Sequence, residues 1–201
     1  VPPDHFNASQ APAIDQGTTG TSATGYGALP KPLAHANHEF TQHFPKPGGV
    51  EHDADEIWAT TQRVVREALK KARTKPGALD GLGITNQRET VVAWDGRNGT
   101  PLHRAIVWQD RRTAPRCEEL RAAGRDVWIR ERTGLVTAPS FSATKVHWLL
   151  ENVPQLHKAV AEGRLRLVPI DSWLAFKVRG GETPRPDPST AHGTRPPAPT
   201  P

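Results

Sequence analysis

Behind Asp53, residues Ile57, Thr61, Val64, Val65, Ala68, Leu69 and Ala72 recur at helical spacing, and directly after them the chain switches to short runs of β type. Asp53 suits an N-cap with Glu56 at the third helical position, a capping-box pattern, so a helix is predicted from about Ala54 to Arg73, stopped by Pro76 and Gly77. LDGLGIT, TVVAW and PLHRAIVWQ then supply three short strands, a βα unit feeding a hairpin-containing sheet. Asp95-Gly96 and Asn98-Gly99 turn the chain between the last two. Further on, ATKVHWLLENV and PQLHKAVAEG read as helices, RLRLVPI as a buried strand, and DSWLAFKV as a helix capped by Asp171. The class that follows is α/β, a mixed sheet with flanking helices and no internal repeat.

The 201 residues leave room for one ordinary domain, expected over 11–181. The segment ETPRPDPSTAHGTRPPAPTP, residues 182–201, has no large apolar side chain to bury and is expected to be a disordered, proline-rich tail. At the other end, AIDQGTTGTSATGYGALPKP begins like a buried strand entering a Gly/Thr loop. Pro12 is expected to cut that strand short, and Gly25, Gly27, Pro30 and Pro32 to spoil the one that should follow. The net charge of +5 comes from 26 basic and 21 acidic residues scattered along the chain, which makes no basic stripe and argues against a nucleic-acid partner. No apolar run approaches the ~18 residues of a membrane span and VPPDHFNASQ lacks the features of a leader, so no membrane association and a cytoplasmic location are expected. The single cysteine, Cys117, excludes an internal disulfide framework and reads as a buried or inert thiol.

Two stretches carry residues suited to chemistry. In DQGTTGT, Asp15 to Thr21, an acidic residue at a strand end precedes glycines and hydroxyls. Backbone N–H groups and the Thr18 and Thr19 hydroxyls of such a loop suit phosphate oxygens, and Asp15 suits a hydrated Mg²⁺, although an ordinary turn has the same composition more often. The loop lacks the lysine of a P-loop. In NQRET, Asn86 to Thr90, four long polar residues stand where a plain hairpin would use Asn-Gly or Asp-Gly. The paired donors of Arg88 and the acceptors of Glu89 suit neighbouring alcohol groups on a polyol, while a solvated ion-pair corner is the commoner meaning of such a pair. Trp108, at the end of AIVWQ, suits either a substrate carbon skeleton or core packing. His35, His38, His43 and His52 have no spacing that defines a metal shell. No Gly-x-Ser-x-Gly elbow supports a hydrolase.

The order DQGTT, EFTQHFPKPGGVEHDADEIW, GITNQRETVVAWD, AIVWQDRRTA, RTGL, FSATKVHWLL and VPIDSWLAFKVRGG resembles the glycerol kinases within the FGGY family of carbohydrate kinases, continuously over about Glu39 to Gly181 with DQGTT as an island before it. The resemblance implies an incomplete ribonuclease-H-like, actin-like fold and transfer of the γ-phosphoryl group of ATP, with Mg²⁺, to a terminal hydroxyl of glycerol. It assigns glycerol hydroxyls to Arg88 and Glu89, the glycerol carbons to Trp108, and the ATP phosphates and metal to Asp15, Thr18, Thr19 and the backbone of Gly20. Three positions depart from the family pattern: Ser22 replaces an arginine that meets phosphate, Ser140 replaces a tyrosine that contacts glycerol, and Gly49 replaces a tryptophan. The catalytic aspartate and the nucleotide-binding second domain would lie beyond Gly181, so no catalytic base is expected within the chain. An N-terminal fragment without turnover of its own is the expectation. The alternatives are a kinase of another polyol or sugar, motivated by Ser140, and a noncatalytic interaction protein that self-associates through surface the missing half would cover.

Overall fold

A computed structural model describes residues 11–26 and 32–181; the expected tail at 182–201, and Gly27 and Pro30, lie outside the described residues. The described residues fall into two compact units, one of 11–41 and 55–86, the other of 42–54 and 87–181.

The first unit holds a four-stranded sheet of β1 (Ala11–Gln16), β2 (Gly20–Tyr26), β3 (Pro32–Glu39) and β6 (Gly83–Asn86) in the order β3-β2-β1-β6, with β1 and β6 parallel and the other pairs antiparallel. The expectation that Pro12 shortens its strand is corrected. Pro12 lies within β1 opposite Gly25, and the register with β6 begins only at Ala13, so the missing N–H falls where the strand has a single neighbour. Pro32 is the first residue of an edge strand, which is the place where a sheet tolerates proline, and Gly25 adjoins a register shift at Gly25/Tyr26. Helix α1 (Ala54–Lys71) follows the predicted stripe, packing Val64, Val65 and Ala68 against Ala23 of β2 and Ala36 of β3. Its polar flank is tied to β3: Glu67 bonds His38 at 3.0 Å and Lys71 donates to the His35 carbonyl at 2.8 Å. Glu56 accepts from the Thr41 N–H and hydroxyl, at 3.0 and 2.9 Å.

The second unit holds a five-stranded antiparallel sheet in the order β4-β5-β8-β7-β9: β4 (Gln42–His43), β5 (Glu51–His52), β7 (Val91–Asp95), β8 (Ala105–Ile106) and β9 (Leu165–Pro169). Around it lie α2 (Ala114–Ala122), α3 (Arg125–Thr133), α4 (Ser142–Asn152), α5 (Gln155–Ala161) and α6 (Ile170–Val178). Central strand β7 is buried on both faces, which is why TVVAW has no polar alternation. Val91 and Ala93 pack with Leu149 of α4 and Leu156 of α5, while Trp94 meets Phe176 of α6 at a centroid distance of 6.1 Å. Strand β9 is half-buried rather than buried. The cap of helix α6 is Pro169, two residues before the expected Asp171, so Asp171 lies in the first turn and complements the helix dipole instead of occupying the cap.

The three predicted β runs do not share one sheet. Strand β6 pairs with β1 in the first unit, whereas β7 and β8 pair in the second, so NQRE marks a passage from one unit to the other. Within the second unit β7 ends in the Asp95–Thr100 turn, where the Asp95 N–H donates to the Thr100 carbonyl at 2.9 Å. Gly99 has φ +73°, donates its N–H to the Asp95 carbonyl at 2.8 Å, and accepts the Trp173 indole N–H at 3.1 Å. A β-carbon on Gly99 would stand 2.6 Å from the Phe176 ring. Gly99→Ala therefore combines a left-handed backbone penalty with overpacking, and is expected to lower stability by about 2–4 kcal/mol in urea denaturation.

Candidate active site

The NQRET corner takes its shape from one residue. Glu89 adopts φ +66°, the left-handed region that costs a side-chain-bearing residue about 1–2 kcal/mol. Three hydrogen bonds hold it there. One carboxylate oxygen, Oε2, accepts the Ser142 N–H at 2.9 Å and the Ser142 hydroxyl at 2.6 Å, and the Glu89 carbonyl accepts Lys145 Nζ at 2.9 Å. Helix α4 begins at Ser142 behind Phe141, which has no side-chain acceptor for the exposed N–H groups of the first turn. Glu89 supplies that cap from 53 residues earlier in the chain, and its charge meets the positive end of the helix.

The other carboxylate oxygen, Oε1, has no hydrogen bond among the described residues, and Arg88, exposed beside it, has neither a hydrogen bond nor an ion pair among them. The corner is thus not a solvated ion pair. It presents an unpaired guanidinium and an open carboxylate oxygen on neighbouring residues, a donor and an acceptor set suited to vicinal hydroxyls.

Trp108 reaches the same end of the sheet. Val91 of β7 pairs with Ile106 of β8; Glu89 precedes β7 by two residues and Trp108 follows β8 by two. The Trp108 N–H donates to the Thr90 hydroxyl at 3.3 Å. From there a buried chain runs inward: Thr90 donates to Gln87 Oε1 at 2.9 Å, Gln87 Nε2 bonds His52 Nδ1 at 3.2 Å, and His52 Nε2 bonds Gln42 Oε1 at 2.7 Å. With Gln87 donating to Nδ1, the His52 proton sits on Nε2 and every step has one donor and one acceptor. Trp108 is 41% exposed, so core packing does not account for it.

The turn after Trp108 is fixed by a buried guanidinium. Arg112 donates through Nε to Asp110 Oδ1 at 2.9 Å and through one terminal nitrogen to Asp110 Oδ2 at 2.8 Å and Glu51 Oε1 at 2.7 Å. Its plane lies 4.4 Å from the Trp148 ring centre. Asp110 also accepts the Val50 N–H at 2.7 Å. Burial pushes the Arg112 pKa down, but the bonds from Asp110 and Glu51 outweigh it and leave the guanidinium above its ordinary value.

Lys145, wholly buried on the inner face of α4 with Ser142 and Leu149, donates to the carbonyls of Glu89 and, at 2.5 Å, Ser140. Loss of solvent pushes its pKa down to about 8, with Glu89, Asp110 and Cys117 opposing the shift. Cys117 is buried as expected and its pKa is raised by burial, against bonds and charges from Thr144, Arg121, Thr113 and Lys145. Ser140 holds its place in the corner through its carbonyl. Gly49 is buried where a β-carbon would meet the Lys46 carbonyl at 3.1 Å and Pro45 Cγ at 3.2 Å, so a larger residue there requires the 45–49 loop to shift.

The Asp15 loop lies in the other unit. Asp15 is exposed on β1, opposite Ser22 of β2 and Thr85 of β6, and its carboxylate has no partner among the described residues. Thr19 is exposed and Thr18 half-buried. The Gly17 N–H closes the turn on the Gly20 carbonyl at 2.9 Å and is not available to a ligand. Gly20 is required by packing, since a β-carbon would stand 2.8 Å from the His38 carbonyl of β3.

Sequence reasoning missed Lys145, Ser142, Thr90 and the Asp110–Arg112–Glu51 cluster. Lys145 had a signal: it stands four residues before Leu149 on the apolar stripe of α4, where a charge needs a buried reason. His52, grouped by sequence with three other histidines, belongs instead to the buried chain behind Thr90.

The chain matches the N-terminal domain of the FGGY family of carbohydrate kinases over residues 11–193. It is 48% identical to a glycerol kinase of Ectopseudomonas mendocina and 47% identical to glycerol kinase 1 of Pseudomonas aeruginosa, each over 182 residues, which is 90% of this chain and 37% of either relative. The chain thus spans a little over a third of the length of these relatives. A crystal structure of Plasmodium falciparum glycerol kinase with ADP superposes with a TM-score of 0.84 at 31% identity, covering 92% of this chain and 37% of that one.

Removing Arg112 leaves Asp110 and Glu51 buried without their counter-charge. Arg112→Ala is expected to cost about 3–5 kcal/mol, read as a lower urea midpoint.

Proposed function

The chain belongs to the FGGY family of carbohydrate kinases, and we propose that it carries the glycerol-binding corner and the phosphate loop of an ATP-dependent kinase acting on a terminal hydroxyl of glycerol. The observation that carries this reading is the Arg88–Glu89 pair: a strained backbone, one carboxylate oxygen clamped by Ser142, the other open, and a guanidinium without a protein partner among the described residues. Strain held in place by surrounding bonds is characteristic of functional residues. The relatives named glycerol kinase, at 47 and 48% identity, supply the substrate.

In this reading Glu89 Oε1 accepts from one glycerol hydroxyl while Arg88 donates to its neighbour. Trp108 lies against the carbon skeleton. The two polar groups fix which hydroxyl is terminal to the grip, so the contribution of the corner to catalysis is orientation. The loop residues Asp15, Thr18 and Thr19 serve the phosphate end, with Gly20 shaping the loop. The exposed, unpaired carboxylate of Asp15 fits a magnesium ion held through water, and the exposed Thr19 hydroxyl fits a phosphate oxygen. ATP, when bound, supplies the phosphoryl group and Mg²⁺ neutralises its charge. Residues 11–181 constitute the part of the kinase that this proposal concerns.

Calorimetric titration of the chain with glycerol tests the reading. Arg88→Ala and Glu89→Gln are each expected to weaken glycerol binding by about tenfold to a hundredfold, the loss of one charge-assisted hydrogen bond of roughly 1.5–3 kcal/mol, with the urea midpoint of Arg88→Ala unchanged. Ser140 motivates the competing reading of another polyol or sugar. Tighter binding of a pentulose than of glycerol establishes that alternative.

A further inference from the structure

We propose that Lys145 is a positioning residue of the polyol corner: its ammonium, seated under the carbonyls of Glu89 and Ser140, locks the left-handed backbone at Glu89 and so fixes the direction of the open carboxylate oxygen. The proposal rests on the reading of Arg88 and Glu89 as a hydroxyl-binding pair, and deepens it.

Three observations support the lock. Lys145 is 0% exposed, so its ammonium has no water to exchange with, and its two hydrogen bonds among the described residues go to backbone carbonyls of the corner rather than to carboxylates. One of those carbonyls belongs to Glu89, whose φ of +66° needs an outside restraint. The other belongs to Ser140, two residues before the Ser142 that clamps the Glu89 carboxylate. A single cation therefore ties the backbone of Glu89 to the segment that holds its side chain. Removing it leaves the carboxylate attached to Ser142 alone, and the backbone free to leave the left-handed region.

The groups that face Lys145 are Glu89 from the corner, Asp110 from the turn after β8, and Cys117 from α2. Solvent loss outweighs their attraction and brings the lysine to about 8, so its proton is lost within an accessible pH range. A neutral amine still donates hydrogen bonds, but weaker ones than an ammonium. The sign for stability is opposite. Between about 8 and the ordinary 10.5 the unfolded chain binds more protons at this site than the folded one, so the fold gains stability as pH rises. Substrate grip and fold stability should therefore move in opposite directions with pH, which a purely structural lysine would not produce.

The test follows three signals of the chain from pH 6.5 to 10: the NMR backbone couplings of Glu89 with the amide shift of Ser142, the glycerol dissociation constant, and the urea midpoint relative to Lys145→Met. Expected are a step near pH 8 in the Glu89 and Ser142 signals and at least tenfold weaker glycerol binding by wild type above that step. Over the same range wild type gains stability relative to the variant. In Lys145→Met the step is absent, Glu89 leaves the left-handed region, and glycerol binding at pH 7 is at least tenfold weaker. Unchanged Glu89 couplings and unchanged affinity in the variant overturn the proposal, as does wild-type affinity that stays flat across the step. If the variant does not fold, the wild-type titration decides alone. A wild-type chain that shows the step but binds no glycerol at any pH supports the lock on Glu89 and overturns the ligand reading instead.

Discussion

Burying a cation is the constraint around which the second unit is built. Arg112 and Lys145 are both removed from water, and an unpaired charge in such a place costs several kcal/mol. The protein solves the problem twice, differently. Arg112 is met by two carboxylates in the planar geometry a guanidinium needs, backed by the face of Trp148, and stays charged under all ordinary conditions. Lys145 is met by carbonyl dipoles, which compensate less, and its proton is correspondingly loose. The first arrangement makes a fixed turn behind Trp108. The second ties the Glu89 corner to α4 through a cation that the proposal above makes its lock.

Much of the fold was legible because local signals agreed with tertiary packing. The α1 stripe, the strand at TVVAW and the Asp95–Gly99 turn each follow from spacing and residue type alone. The misreadings arose where a residue was judged without its neighbours. Pro12 and Pro32 break a strand only if an N–H is needed there, and that depends on which side of the strand is paired and how far the partner extends. No local pattern states that Gly83–Asn86 and Val91–Asp95 join different sheets, because both read as short strands and their separation fits a hairpin.

The candidate site divides along the same line. Arg88 and Glu89 stood out in the sequence because four polar residues make a poor turn, and the structure gives the reason: the turn is made by a left-handed glutamate rather than by glycine or asparagine. What holds that glutamate was not legible. Ser142 and Lys145 lie 53 and 56 residues later, and their bonds to Glu89 exist only once α4 packs against β7. Nothing in the run Asp110-Arg111-Arg112 announces burial, yet Asp110 is buried and the Arg112 side chain is only 2% exposed, because Glu51 and Val50 close over them from β5 and the residue before it.

In the proposed reading Glu89 serves two roles with one carboxylate, and that reading explains why the strain is worth keeping. A helix cap alone could be supplied by serine, threonine or aspartate at position 141 with no left-handed residue anywhere. A hydroxyl-binding carboxylate alone could sit on a relaxed loop. Joining them means that the oxygen facing a ligand cannot rotate without uncapping α4, so its direction is set before anything binds. For the three-carbon triol proposed as ligand that matters, because a small ligand gains at most about 1.5 kcal/mol per non-hydrogen atom and has little to spare for ordering its site. The cost of about 1–2 kcal/mol at Glu89 is met during folding, by bonds that also cap a helix, and is not charged against the ligand.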